Sequence, residues 1–387
     1  MYSLSYIKIF LLLFVFSIPL INKNNNEFVY LKLKNYQLIT VLFSLIIFFG
    51  FRGFIDTDVH NYYRFYSDIP TVFNENFILY IDKNPFEIGF YFYSVFLKSL
   101  GLGYFGFQFI NTLIDFIVLY KFFDEYIPSQ KGLGFLLYFL FGAFSFEINL
   151  VRNVKSLLLF LMSIKYVHTR NFKSYICLNL LGFLFHTASI IFIPMYFILR
   201  MKPNRKLFLV LFITGNIIYL LQIHFLSALL DVIIKVTPNS GIFRLIKIYN
   251  DSKWGQFGIS IGYIERTFTT ILIFLFYKKL ILDSKNAVFI NAFFIYILVY
   301  LYCSELYVVI QRVPNLFVFS YWVLLPKIYQ LLSKNKKILF ILFLFLYGLL
   351  KVNSFSNKEI LKYDNFLSMD YESIEMREKV AKRYKGK

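Results

Sequence analysis

Apolar runs long enough to form membrane-spanning helices recur from residue 7 to residue 350, and short clusters of Lys and Arg separate them. In a bilayer every backbone N–H and C=O needs an internal partner, so a chain written this way folds as a helical bundle. A span takes about 20 apolar residues, with shorter ones tolerated inside a bundle. The clearest runs are 7–21, 36–51, 104–119, 133–146, 157–167, 207–226, 259–277, 288–302, 313–325 and 338–350. The expected fold is all-α: a polytopic membrane domain over 1–351 with roughly twelve transmembrane helices, and a charged tail over 352–387.

Composition excludes the soluble alternatives. Hydrophobic residues make up 58% of the chain and charged residues 16%, against about a quarter charged in soluble domains. The formal charge of +19 would suggest nucleic acid in a soluble protein. Here the basic residues sit between apolar runs, which is the positive-inside pattern, and no nucleic-acid partner is expected. Cys177 and Cys303 lie in separate runs without metal or redox spacing, so no disulfide framework or zinc site is indicated. Residues 1–21 lack a small-residue cleavage site and read as a retained span.

The basic clusters also fix topology. Lys165, Arg170 and Lys173 precede the run 174–199, and Arg200, Lys202, Arg205 and Lys206 follow it. Both ends then face the cytoplasm, which requires an even number of crossings. Twenty-six residues reach about 39 Å as helix, enough for two short helices meeting near Phe185, His186 and Thr187. The expectation is a broken or hairpin element with His186 near its deep end; one long tilted span is the alternative. From Arg52 to Glu87 three basic residues face six acidic ones, so the loop 52–87 belongs outside, as does a second loop at about 228–258. Keeping Lys121 and Lys131 inside requires 86–100 to lie along the outer interface as an amphipathic helix. Both termini then face outward. Glu375 with Lys379, and Glu378 with Lys382, have the spacing of a solvated tail helix without chemistry.

Ionisable side chains at membrane depth cost several kcal/mol, so each should face a cavity or a partner. Arg52, Asp56, Asp58, His60, Tyr62 and Tyr63 follow the second run directly; Glu87 and Gly89 open the interfacial helix. Arg152 and Lys155 start a span, His186 and Ser189 sit at the break, and Arg266 and Arg312 lie at the outer ends of later spans. Converging guanidinium forks would hold a pyrophosphate headgroup whose tail stays in lipid; singly, each Arg reads equally as a helix cap or a snorkelling side chain. Asp56-Thr57-Asp58-Val59-His60 is open between a divalent cation site, a general base and an ordinary polar loop. His186 is open between a core histidine and a catalytic base. No Walker loop, GxSxG elbow, HExxH or dinucleotide fingerprint stands at a usable place, and neither a cofactor nor a resident metal is expected.

Four blocks resemble those of EpsG-type exopolysaccharide membrane proteins, relatives of the Wzy O-antigen polymerases. They are Phe51-Arg52-Gly53 with Asp56, Asp58, Tyr62 and Tyr63; Glu87-Ile88-Gly89-Phe90; Val151-Arg152-Asn153; and Phe185-His186-Thr187-Ala188-Ser189 followed by Pro194, with a looser echo at 312–326. The resemblance implies a polymerase, compatible with a GT-C-like architecture, that joins oligosaccharide repeat units carried on undecaprenyl pyrophosphate, at the outer face of the bacterial plasma membrane. It implies that Arg152 and Arg312 take the pyrophosphate, that His186 or Asp58 activates the acceptor hydroxyl, and that Arg52 and Glu87 shape the site. Lys155 stands where many relatives carry a small residue and would add a phosphate contact or snorkel. Partners implied are the lipid-linked oligosaccharide, membrane lipid, and a chain-length regulator and flippase of the same pathway. A monomer-transferring membrane glycosyltransferase, a sugar acyl-modifying enzyme and a precursor flippase are the alternatives.

Overall fold

The computed structural model describes residues 2–18, 27–74, 80–81, 84–226, 228, 258–368 and 371–385. In chain order the helices are α1 (Leu4–Ser17), α2 (Glu27–Gly50), α3 (Asp58–Asp68), α4 (Ile88–Ser99), α5 (Tyr104–Tyr126), α6 (Lys131–Tyr138), α7 (Phe144–Phe146), α8 (Val151–His168), α9 (Phe172–Phe185), α10 (Phe192–Arg200) and α11 (Arg205–Leu220). They continue with α12 (Ile261–Leu280), α13 (Asn286–Tyr302), α14 (Tyr307–Arg312), α15 (Phe319–Leu331), α16 (Lys334–Ser356) and α17 (Tyr371–Lys385). Among the described residues the one β feature is an isolated bridge between Arg52 and Asn365. The all-α expectation therefore holds. The chain forms two compact units, Met1–Tyr196 with Leu331–Lys387, and Phe197–Gln330.

By length and composition the described helices do not confirm twelve crossings. Among the described residues, Lys32–Gly50, Tyr104–Tyr126 and Lys334–Ser356 are long and apolar enough to cross, and Leu4–Ser17, Phe172–Phe185, Thr187–Arg200 and Asn286–Tyr302 are shorter apolar helices. The reasons are local. The run 133–146 is broken by a π turn at Phe139–Ala143, a geometry that inserts a residue into the helical ladder. The run 313–325 opens with a 3-10 turn at Pro314–Phe317 and feeds a helix that contains Pro326, which removes an N–H and strains the preceding turn. The expected loop at 228–258 lies, apart from its two end residues, outside the described residues.

The element at 174–199 folds back on itself. His186 has extended backbone angles (φ −158°, ψ 122°) and ends α9; a 3-10 turn at Thr187–Ile191 then leads into α10. Pro194 stands in the first turn of α10, where its missing N–H is tolerated but an unbroken helix from residue 190 would not be. The Tyr175 hydroxyl donates to the Phe192 carbonyl at 2.6 Å, and the rings of Phe172 and Tyr175 both meet Tyr196, at 5.0 and 5.1 Å. Residues early in α9 thus touch α10, which makes a hairpin with His186 at its tip.

α4 is too short to span, at about 18 Å. Its C-terminus is closed by Gly101 in the left-handed region (φ 83°), where a glycine meets no Cβ penalty. Lys98 donates to the carbonyls of Tyr66, Ser67 and Ile69 at 2.6–2.9 Å and so caps α3. α3, α4 and the start of α5 share one aromatic core that includes Tyr62, Phe65, Phe90 and Phe107, each such ring contributing roughly 1.5–3 kcal/mol on burial.

The tail is not the free solvated helix expected. Gly53 donates to the Asp364 carbonyl at 2.8 Å, Asp56 N–H to Ile360 at 3.1 Å, and Phe366 N–H to Phe51 at 3.1 Å. Tyr363 stacks on Phe48 at 4.4 Å and Phe366 on Phe105 at 4.6 Å. Arg377, 5% exposed, binds Asp364 and the Glu359 and Lys362 carbonyls. The Glu378–Lys382 pair does form, at 3.2 Å, yet Glu378 also binds Arg64 of α3. Ser3 meets Asn353 at 2.9 Å. Ser3 and the tail residues 359–366 therefore sit at the same end of the first unit as the loop 52–68.

Candidate functional site

At that end of the first unit, Arg152 and the adjacent pair His186 and Thr187 meet on the carboxylate of Glu87. Glu87 precedes the first turn of α4, and its backbone carbonyl takes the Tyr91 N–H at 3.0 Å. Its Oε1 accepts from the His186 Nδ1 at 2.9 Å and from the Thr187 N–H at 3.2 Å, while Oε2 pairs with the Arg152 guanidinium. Gly89 explains the approach: a Cβ there would lie 2.7 Å from the Leu184 carbonyl oxygen, so only glycine lets α4 touch the last turn of α9.

Burial alone would raise the Glu87 carboxyl, but the His186 hydrogen bond, the Arg152 charge and the backbone amides of Glu87 and Thr187 outweigh it and hold the group down to about 2. Glu87 is a carboxylate at any working pH. It therefore accepts from Nδ1–H, which orients the imidazole and leaves Nε2 without a hydrogen-bond partner among the described residues. The Arg152 guanidinium lies 4.3 Å over the Phe86 ring and its Nε reaches the Tyr62 hydroxyl at 3.5 Å. Its Nη2 has no hydrogen-bond partner among the described residues, which leaves one edge of the fork available. Burial keeps the Tyr62 phenol above its usual range despite Arg152, so it is a neutral hydroxyl. The side chains remain accessible, with Arg152 21%, His186 18% and Glu87 13% exposed.

The other expected residues have different positions. Asp56 adopts φ 68°, a conformation open to Asp because its short side chain bonds locally. Its Oδ1 takes the Thr57 N–H and its Oδ2 the Asn149 side-chain amide, both at 2.7 Å, so Asp56 pins the loop to the segment before α8. Asp58 opens α3, where a carboxylate complements the helix dipole. Tyr63 packs edge-on against Phe54 and Tyr104. Arg52 is buried, donates to the Phe49 carbonyl at 2.5 Å, and lines a crevice of about 10 Å³ with Tyr62, Gln108 and Asn111. Ser189 is buried, and its N–H donates to the His186 carbonyl at 3.0 Å. Among the described residues no three His, Cys, Asp or Glu side chains converge as metal ligands.

Lys155 neither snorkels nor faces outward. It is 6% exposed, and its Nζ binds Asp115 at 2.5 Å and the Asn111 carbonyl at 3.0 Å. Asp115 and Glu147, the latter holding the Tyr138 hydroxyl, escaped the sequence reading although both are acids flanked by apolar residues, the signal that marks a functional or paired group in a span. Arg266 and Arg312 belong to the second unit. Arg266 lies 4.1 Å over the Tyr300 ring and donates through Nε to the Tyr296 hydroxyl at 2.9 Å. Arg312 ends α14 and is exposed.

Long apolar helices carrying a Glu–His–Arg constellation at one end define a polytopic membrane protein with a polar, accessible site. Residues 35–369, well over half the chain, match the EpsG family, and the protein belongs to this membrane family of exopolysaccharide biosynthesis. No curated protein and no solved structure matches it.

Proposed function

We propose that the protein polymerises oligosaccharide repeat units carried on undecaprenyl pyrophosphate, at the outer face of the bacterial plasma membrane, to make a surface polysaccharide: O-antigen, capsule or exopolysaccharide. The observation that carries this reading is Glu87 bridging His186 and Arg152. A glycosyl transfer from a lipid pyrophosphate needs three things: a positioned acceptor, removal of one proton, and neutralisation of departing charge. The acceptor hydroxyl attacks the anomeric carbon, forming the new C–O bond as the bond to the pyrophosphate breaks. Its proton passes to His186 Nε2, and Glu87 stabilises the imidazolium through Nδ1–H. The free edge of Arg152 meets the leaving phosphates.

In this reading Tyr62 orders the Arg152 fork, and Asp56 and Arg52 hold the loop that frames the site. A flippase would deliver the substrate and a chain-length regulator would set polymer size. Arg152→Ala should abolish polymer while single lipid-linked units accumulate in the membrane. Normal ladders on gels of surface polysaccharide from this mutant would defeat the proposal.

A further inference from the structure

Beside the Glu87 constellation, an open groove of about 460 Å³ runs along α3, lined by Asn61, Arg64, Phe65, Asp68, Tyr80 and Phe86. That size falls within the range of small-molecule sites. We infer that this groove binds sugar residues of the acceptor oligosaccharide. The inference deepens the polymerase reading and rests on it.

The lining mixes what sugars present. Pyranose rings have apolar C–H faces and a rim of hydroxyls. Aromatic faces take the first, while an amide, a carboxylate and a guanidinium pair with the second as acceptors and donors. Charge argues against a phosphate here. Arg64 is neutralised by Glu378 of the tail helix and Asp68 adds a negative group on the same wall, so an anion meets no net positive field. The groove is also continuous with the site. Phe86 forms one wall, and its ring carries the Arg152 guanidinium at 4.3 Å and meets Tyr62 at 5.4 Å. Asn84 locks Phe86 in place, its side chain bonding the Phe86 carbonyl at 2.6 Å and N–H at 3.0 Å. Sugars seated against Phe65, Tyr80 and Phe86 would extend from the point where a hydroxyl meets His186.

The test uses the full-length protein in lipid nanodiscs. The probe is the set of oligosaccharides released by partial acid hydrolysis of the producing strain's own surface polysaccharide, then treated with phosphatase so that no phosphate remains. Saturation-transfer NMR should show ring protons in contact with the wild type. Tyr80→Ala and Asp68→Asn, both outside the tightly buried core, should each weaken binding about tenfold, roughly one lost contact, and shorten the ladder in cells. Tyr80→Phe should bind like wild type, and matched thermal melting excludes misfolding. Arg152→Ala should bind the phosphate-free probe within about twofold of wild type, since that side chain is assigned to phosphate. Equal binding by wild type and both groove variants would overturn the inference, as would absence of saturation transfer in a protein whose Arg152→Ala variant has lost polymer. If the groove variants lose glycan while Arg152→Ala still makes polymer, the groove stands and the reaction assigned to the site falls.

Discussion

Replacing Glu87 by Gln removes one charge and leaves the shape. The structure sets the scale of the effect. Glu87 is held at about 2 against an ordinary value near 4.3, and at about 1.36 kcal/mol per unit the folded protein favours the carboxylate by up to ~3 kcal/mol. Solvent at the mouth of the site screens part of this, so ~1.5–3 kcal/mol is the expected loss of stability above pH 5. The sign follows from the depressed value. The stabilisation is complete above the unfolded-state value, falls as pH drops below about 4.5, and is gone near pH 2. The gap in melting temperature between wild type and Glu87→Gln should therefore be flat from pH 5 to 8 and shrink on acidification, measured by tyrosine fluorescence in detergent.

Activity should fall further than stability. A glutamine can still take the Nδ1 proton through its carbonyl oxygen, but it no longer stabilises an imidazolium or orders Arg152, a loss on the order of 10²–10⁴ for a base and its orienting group. The assay is the initial rate of ladder formation in membrane vesicles supplied with lipid-linked units. A Glu87→Gln enzyme within twofold of wild type, or a melting gap that widens as pH falls, would refute the dyad and the charge bridge together.

Two other perturbations follow from the same packing. Lys155→Met strands Asp115 in the interior and should cost about 3–5 kcal/mol, whereas Lys155→Met with Asp115→Leu should recover most of it, read as the melting temperature and membrane yield of the single and double variants. A stop after Ser356 removes the backbone bonds to Phe51, Gly53 and Asp56; it should abolish polymer while the remaining helices still insert, checked by protease protection and by ladder formation with the tail supplied as a separate chain.

What the sequence disclosed, and what it hid, divides along a physical line. Charge placement reports which end of a span faces which side, so the clusters around residues 165–173 and 200–206 predicted a doubled-back element, and Lys121 and Lys131 with the acidic loop 52–87 predicted α4 off the crossing path. The four blocks carrying Arg52, Glu87, Arg152 and His186 likewise marked one end of the first unit. Charge placement says nothing about where a side chain points along its own helix. Arg152 and Lys155 are one turn apart on α8, yet Arg152 reaches Glu87 at the open end and Lys155 turns inward to Asp115. Glu87 and His186 are 99 residues apart, and no local pattern encodes such a pair. The tail was opaque for a different reason: it docks chiefly through main-chain hydrogen bonds to residues 51–56, which every residue type except proline can make. Its charged composition reads as solvated although it holds the loop containing Asp56. The loop's left-handed turn, its pin to Asn149 and its strap from residues 360–366 thus form one assembly. A change in any of them would move the frame around Arg152 and Glu87 without touching either residue.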